Sequence, residues 1–248
     1  MATKLCGQTA LITGASMGIG EAIALALAGK GMNVALFARS KSVRRRIKEK
    51  YPTVRARTYP VDVQSHKDVD KAVASVVSEL GEVDILVTNA GLALGTPNRF
   101  WELPIELVNQ MNGTNIAGVM YTTHAVLNRS MWPRRKGTII NISSVTGLEC
   151  PPFNGEAVYH ANKASLRPGC VVSHFHLQRV KYDKEAMDEF FYGYEPLVAE
   201  DLAESVLFMV SQPGRISIKA PDCVPSAQRS LSRIDRECNS RREKDSQP

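Results

Sequence analysis

Short apolar runs alternate with longer helical stretches over the first two thirds of the chain. TALIT (9–13) precedes EAIALALAGKG (21–31), and NVALFA (33–38) precedes SVRRRIKEK (42–50). YPVDV (59–63) precedes SHKDVDKAVASVVSELG (65–81), DILVTN (84–89) precedes a long segment from Pro104 to Trp132, and GTIINISS (137–144) precedes YHANKASLRPGC (159–170). Repeated strand-then-helix units predict a parallel sheet covered on both faces, an α/β fold of the Rossmann-type doubly wound kind. At 248 residues the chain has the length of one such domain. Apolar periodicity fades near Arg229, which puts the domain at 1–228 and leaves 229–248 as a polar, basic tail expected to be disordered.

Composition narrows the function classes. With 44% hydrophobic and 23% charged residues and no apolar run of membrane-spanning length, the chain does not read as an integral membrane protein. The apolar stretch before Gly14 is too short for a signal peptide, so a cytoplasmic location is expected. Five scattered cysteines (Cys6, Cys150, Cys170, Cys223, Cys238) form no CxxC pair, arguing against a disulfide framework and a zinc site. His174 and His176 alternate as in a strand and have no third ligand near in sequence, so no metal is expected. The net charge of +6 gathers in 41–50 and 229–248. Acidic residues interrupt the tail and neither run interleaves aromatics, so nucleic acid is not the expected partner.

The chemistry starts at TGASMGIG (13–20), where the first strand turns into the first helix. Glycines at 14, 18 and 20 permit a tight turn and a close backbone approach to a pyrophosphate, whose charge a helix N-terminus stabilises. About 20 residues after such a loop an acidic residue suits a ribose 2′-hydroxyl and an arginine suits a 2′-phosphate. Arg39 stands there, so NADP is expected over NAD.

TGASMGIG, the NAG at 89–91, Asn115 in TNIAG, Ser144 in NISSVTG, Tyr159 and Lys163 together resemble the short-chain dehydrogenase/reductase family, in order over residues 8–163. The resemblance implies a catalytic tetrad of Asn115, Ser144, Tyr159 and Lys163. The residue types suit it: carbonyl reduction needs a proton donor, a tyrosine of ordinary pKa near 10 is poorly ionised at neutral pH, and a cation one turn away favours the phenolate. Ser144 would hydrogen-bond the substrate oxygen, with Ser143 and Thr146 as competing hydroxyls, and Asn115 would hold a water that feeds protons through the lysine. The resemblance also implies NADP contacts from Thr13, Gly14, Ser16, Gly18, Ile19, Gly20, Arg39, Ser40, Asp62, Val63, Asn89, Ala90, Gly91, Tyr159, Lys163, Pro168, Gly169 and Val171. NAGLALG, EPLVAEDLAE and VPSAQ are similar to the NADP-dependent 3-hydroxy acid dehydrogenases, which act on serine, allo-threonine or malonic semialdehyde-like compounds. That branch implies a small hydroxy acid as substrate; the charges alone identify no carboxylate-binding residue, and Arg179, in a substrate-lid stretch, is the candidate.

One departure stands out. The family completes a long helix after the lysine and crosses to another parallel strand before a Pro-Gly turn, yet only Ala164–Ser165–Leu166–Arg167 separate Lys163 from Pro168. A parallel crossover needs about a dozen residues or more, so the unit is absent. Three readings follow: neighbouring segments close the sheet, the chain folds poorly, or this is an altered version of a complete enzyme. Functionally these leave an active oxidoreductase and a non-catalytic NADP(H)-binding remnant. Relatives pair through the helices around Asn115 and Lys163, so a homo-oligomer is expected, weakened by the missing helix.

Overall fold

The computed structural model describes residues 5–95, 98–147, 154–165, 192, 195–213, 216, 218, 221, 223–225, 227–230, 233–235 and 237. Five strands, β1 (Thr9–Thr13), β2 (Asn33–Phe37), β3 (Ala56–Tyr59), β4 (Val83–Thr88) and β5 (Thr138–Asn141), form one parallel sheet in the order β3-β2-β1-β4-β5. The order reverses between β1 and β4, and there the helices leaving the two strands diverge to opposite faces, opening a crevice at the C-terminal ends of the strands.

Side chains of a strand alternate between faces, and the sheet divides the core accordingly. Ile12, Val34, Leu36 and Val87 face α1 (Gly18–Gly29), α2 (Ser42–Lys50) and α8 (Ala199–Val210). Leu11, Ala35 and Leu86 face α3 (His66–Leu80) and α5 (Gly118–Val126). Each such Leu, Ile or Val side chain contributes about 1.5–3 kcal/mol on burial, and the central position of β1, buried at all five residues, follows from TALIT having no face to offer water. The start of α3 is set by Ser65, whose hydroxyl accepts the Asp68 N–H at 3.3 Å, and its end by Gly81 at φ +92°.

The third strand differs from its sequence assignment at 59–63. It runs from Ala56 and stops at Tyr59, whose carbonyl accepts the Ala38 N–H. Pro60 has no N–H to donate, and Asp62 then turns the chain, accepting the Gln64 N–H at 3.0 Å on its carboxylate and the Ser65 N–H on its carbonyl. Apolar YPV is therefore the strand's exit, which places Asp62 and Val63 at the crevice end of β3.

From Ile105 to Arg134 the chain is helical without interruption: α4 (Ile105–Asn112), a π-helical turn (Gly113–Ala117), α5, a second π-helical turn (Leu127–Met131) and α6 (Trp132–Arg134). The last turn ends at Arg135, in the left-handed region at φ 52°. A π turn adds a residue to one turn and so re-aims the side chains it carries; the first of the two carries Asn115. After β5 come a 3₁₀ turn (Val145–Gly147) and α7 (Ala157–Ala164), and among the described residues the parallel sheet ends at β5. A short antiparallel pair, β6 (Gln228–Ser230) with β7 (Arg233–Ile234), lies where a disordered tail was expected to begin. No described helix is long and apolar enough to cross a membrane.

Candidate functional site

The glycine loop and the end of β4 are built against each other. The Thr13 hydroxyl accepts the backbone N–H groups of Asn89 and Ala90, both at 3.0 Å, and the Asn89 amide donates to the carbonyls of Thr13 and Gly14. Gly14 sits at φ +65°, and a β-carbon there would come within 2.8 Å of the Ala90 backbone. A β-carbon on Gly20 would meet the Asn89 amide at 2.5 Å and the Gly14 carbonyl oxygen at 2.6 Å. These two glycines thus serve first to let the glycine loop seat on Asn89–Gly91. Gly14→Ala is expected to be destabilising, because a left-handed alanine costs about 1–2 kcal/mol before the clash with Ala90 is added. A drop in melting temperature of about 4 °C or more by calorimetry is the expected result, from about 2–4 °C per kcal/mol at this chain length; an unchanged melting temperature would contradict the packing.

Gly18, at φ +59°, starts α1, and Met17 before it supplies no side-chain hydrogen bond to the first turn. The N–H groups of that turn have no side-chain cap, which suits them to an anion. Ser16 and Ile19 are half-buried beside it, Ile19 against the core. At the end of β2, Arg39 and Ser40 are exposed, and the Arg39 guanidinium has no ion-pair partner among the described residues, whereas Arg46 on α2 is held by Glu21. An uncapped helix start, a glycine turn and an uncommitted guanidinium are the donor set that a dinucleotide carrying an additional phosphate requires.

The second half of the site lies across the crevice. Tyr159 and Lys163, one turn apart on α7, share a helix face, and both are buried. The Lys163 Nζ lies 5.9 Å from the Tyr159 ring centroid and donates to the carbonyl of Ile142, just past β5, at 2.8 Å. Burial pushes the Lys163 ammonium down from the usual lysine range to about 8. The backbone of α7 is tied down as well: the Ser143 hydroxyl donates to the Lys163 carbonyl at 2.9 Å, and a β-carbon on Gly147 would stand 2.5 Å from that same oxygen. The 3₁₀ turn therefore presses directly on the last turn of the helix.

The three hydroxyls of SSVT separate by partner. Ser143 is spent on the Lys163 carbonyl. Ser144 Oγ is buried and accepts both the Thr146 N–H and the Thr146 hydroxyl, at 3.3 and 3.0 Å, which leaves its own hydrogen to donate. His160 Nδ1 donates to the Thr146 carbonyl, fastening this turn to α7. Asn115 is fully buried, and its carboxamide accepts from Leu92 N–H and donates to Leu92 C=O, both at 2.8 Å, with its second hydrogen on Asn162 Oδ1 at 3.1 Å. Both Nδ2 hydrogens are thereby committed, so a relay water is not held by that amide nitrogen.

Asn115, Tyr159 and Lys163 and the loop Asn89–Gly91 come together in space: an added β-carbon on Gly91 would be 3.6 Å from Asn115 Oδ1 and 3.7 Å from Lys163 Nζ. Asp62 and Val63 sit one strand over from Arg39, with Val63 packed on Gly118 of α5. Pro168, Gly169, Val171, His174, His176 and Arg179 lie outside the described residues. Asn112, Asn162, Thr146 and Gly147 belong to the site and were not singled out for it from the sequence, except Thr146 as a competing hydroxyl. Their partners are far along the chain, and the one available hint was the asparagine beside Lys163. Tyr159 packs with the buried Met111 and Val158, and the partly buried Leu92, Leu94, Leu103 and Val108 lie against this group. No group of three or more His, Cys, Asp or Glu among the described residues is placed to hold a metal ion.

The short chain dehydrogenase family model matches residues 8–169. The NADP-dependent 3-hydroxy acid dehydrogenase of Schizosaccharomyces pombe is 31% identical, over 94% of this chain and 98% of that protein. The serine 3-dehydrogenase of Rhizobium radiobacter is 31% identical, over 89% of this chain and 94% of that protein. A solved serine dehydrogenase in its closed form, complexed with NADP+, superposes with a TM-score of 0.77 at 28% identity, covering 89% of this chain and 96% of that one. The alignment with the S. pombe protein spans 261 positions, whereas 94% of 248 residues is about 233. That relative thus carries roughly 28 positions without a counterpart here, the size of a helix-plus-strand crossover.

Proposed function

The chain belongs to the short chain dehydrogenase family, and from that premise we propose that it is an NADP-dependent oxidoreductase interconverting a small 3-hydroxy acid and its carbonyl by hydride transfer. The observation that carries the reading is the burial of Tyr159 and Lys163 on one helix face beside Asn115 and Gly91, at the crevice where the strand order reverses. A bound NADPH would supply the hydride. The α1 N-terminus, Gly14, Gly18 and Gly20 would hold its pyrophosphate, and Arg39 with Ser40 its 2′-phosphate.

The chain's own residues handle the proton. Tyr159 delivers it to the carbonyl oxygen as negative charge develops there, and Ser144, whose oxygen already accepts two bonds from Thr146, donates its hydrogen to the same oxygen. The Lys163 ammonium, anchored on the Ile142 carbonyl, places positive charge beside the ring and stabilises the tyrosinate left behind. The apolar wall of Leu92, Leu94, Met111 and Val158 keeps water from competing for that proton.

The test is NADPH oxidation by the purified protein with malonic semialdehyde, and NADP+ reduction with serine; no turnover with either, or turnover with NADH alone, refutes the reading. Arg39→Asp is expected to weaken NADPH binding by about ten- to a hundredfold, the value of a charge-assisted contact, while NADH affinity moves by less than about threefold. Isothermal titration of both coenzymes checks it. The positions missing after alignment favour a second reading, an NADP(H)-binding protein without turnover. It predicts that NADPH raises the melting temperature of a sample that reduces no carbonyl acid.

A further inference from the structure

We propose that Asn162 is a positioning residue of this site: its carboxamide holds Asn115, and through Asn115 the loop at Leu92, in register with the helix that carries Tyr159 and Lys163. The backbone of a single residue dictates the sense of the hydrogen-bond chain. Leu92 N–H can only donate and Leu92 C=O can only accept, so Asn115 must present Oδ1 to the first and Nδ2 to the second. The second Nδ2 hydrogen then requires an acceptor, and Asn162 Oδ1 provides it at 3.1 Å. Asn162 is left with its amide hydrogens, one of which donates to Asn112 Oδ1 at 2.8 Å.

The chain links the three segments that compose the site. Leu92 follows the Asn89–Gly91 loop, Asn112 and Asn115 flank and occupy the π turn, and Asn162 precedes Lys163. Successive helix residues are rotated by about 100°, so pinning Asn162 against the 112–115 segment fixes the direction in which Tyr159 and Lys163 point. The described α7 has only eight residues, too few for a helix to hold its own orientation, so tertiary contacts must set it. Asn162 is nearly fully buried, as is Asn115, so no solvent replaces the bond between them when one partner is removed.

The test compares Asn162→Ala with Asn162→Asp, whose carboxylate still accepts from Asn115 and accepts from Asn112 once that exposed amide turns over. In the protein without added coenzyme, amide hydrogen exchange at Leu92 is expected to accelerate about tenfold or more in N162A and to stay near the parent rate in N162D. Faster exchange confined to residues 157–164, with Leu92 unchanged, overturns the proposal. The activity arm rests on the dehydrogenase reading: kcat in N162A falls by about ten- to a hundredfold, as a displacement near 1 Å at a reacting centre does, with KM and NADPH affinity held within about threefold. An unaltered kcat, or an equal loss in N162D, also overturns it. A parent protein without turnover refutes only the dehydrogenase reading, and Leu92 exchange still decides this one. If N162A does not fold, Asn162→Ser, too short to reach both asparagines, is read by the same measurements.

Discussion

Replacing Tyr159 by phenylalanine is expected to lower kcat for carbonyl-acid reduction by about a hundred- to ten-thousandfold, the range over which a positioned proton donor acts. The change removes one oxygen and keeps the ring that packs among Met111, Val158 and Leu92, so the helix stays in place. NADPH affinity is expected to move by less than about threefold, and the melting temperature to shift by the few degrees that one hydrogen bond accounts for at this size. Steady-state kinetics beside titration calorimetry reads both quantities. Loss of turnover in proportion to loss of binding would assign Tyr159 to the coenzyme cradle instead of the chemistry.

Lys163→Met is expected to abolish turnover and, at neutral pH, to make the protein more stable. The ammonium is buried and its pKa stands at about 8 against 10.5 for an ordinary lysine, a difference equivalent to about 3 kcal/mol of unfavourable desolvation at pH 7. Methionine fills a similar volume without charge but forfeits the bond to the Ile142 carbonyl, so the net gain is about 1–2 kcal/mol, or a melting temperature raised by about 2–8 °C. The pH dependence has a definite sign. Between pH 8 and 10.5 the unfolded chain keeps a proton on Lys163 that the folded chain has released, so the stability of the parent protein rises with pH in that window. Methionine removes the rise, and because the parent regains about 3 kcal/mol from a deficit of about 1–2, the two stability curves cross within that window. Tyr59 opposes at the upper end: burial, followed by Glu79, holds its phenol up at about 12 against 10.0, so stability is lost from pH 10 upward in both proteins. Denaturant melts at half-unit pH steps measure the difference; parallel curves would mean that Lys163 is not desolvated. Reductive turnover of the parent protein is expected to decline as pH rises through about 8, when the cation beside Tyr159 loses its proton.

The role proposed for this lysine sets a catalytic against a structural demand at one atom. Among the described residues the last turn of α7 is tied down by polar and backbone contacts: Ser143 and Gly147 at the Lys163 carbonyl, Ile142 at its Nζ, and Asn112 and Asn115 at Asn162. Short polar tethers hold orientation well, because each has a required direction as well as a distance. They contribute less stability than the apolar side chains of a crossover, about 1 kcal/mol each against about 1.5–3.

Much of the molecule is legible in the amino-acid order. The strands read at 9–13, 33–38 and 84–89 lie at 9–13, 33–37 and 83–88, and the helices read at 21–31, 42–50 and 65–81 lie at 18–29, 42–50 and 66–80; these and the glycine turn between β1 and α1 follow from periodicity and turn chemistry, which are local. So does the shared face of Tyr159 and Lys163, a consequence of four-residue spacing on a helix. The third strand was misplaced because apolar YPV resembles a strand in composition while Pro60 denies it a ladder bond.

What the amino-acid order determined by itself is therefore a parallel α/β sheet, a phosphate-ready loop and a Tyr–Lys helix face, each encoded within one turn or one strand. Only the tertiary structure decided that Lys163 is dry, that Ser143 serves the helix while Ser144 keeps a hydrogen to donate, and that Asn115 spends its amide on Leu92 and Asn162. Those properties depend on which groups displace water from a side chain and satisfy its polar atoms. The partners arrive from segments dozens of residues away, so no window of sequence contains both halves of the interaction.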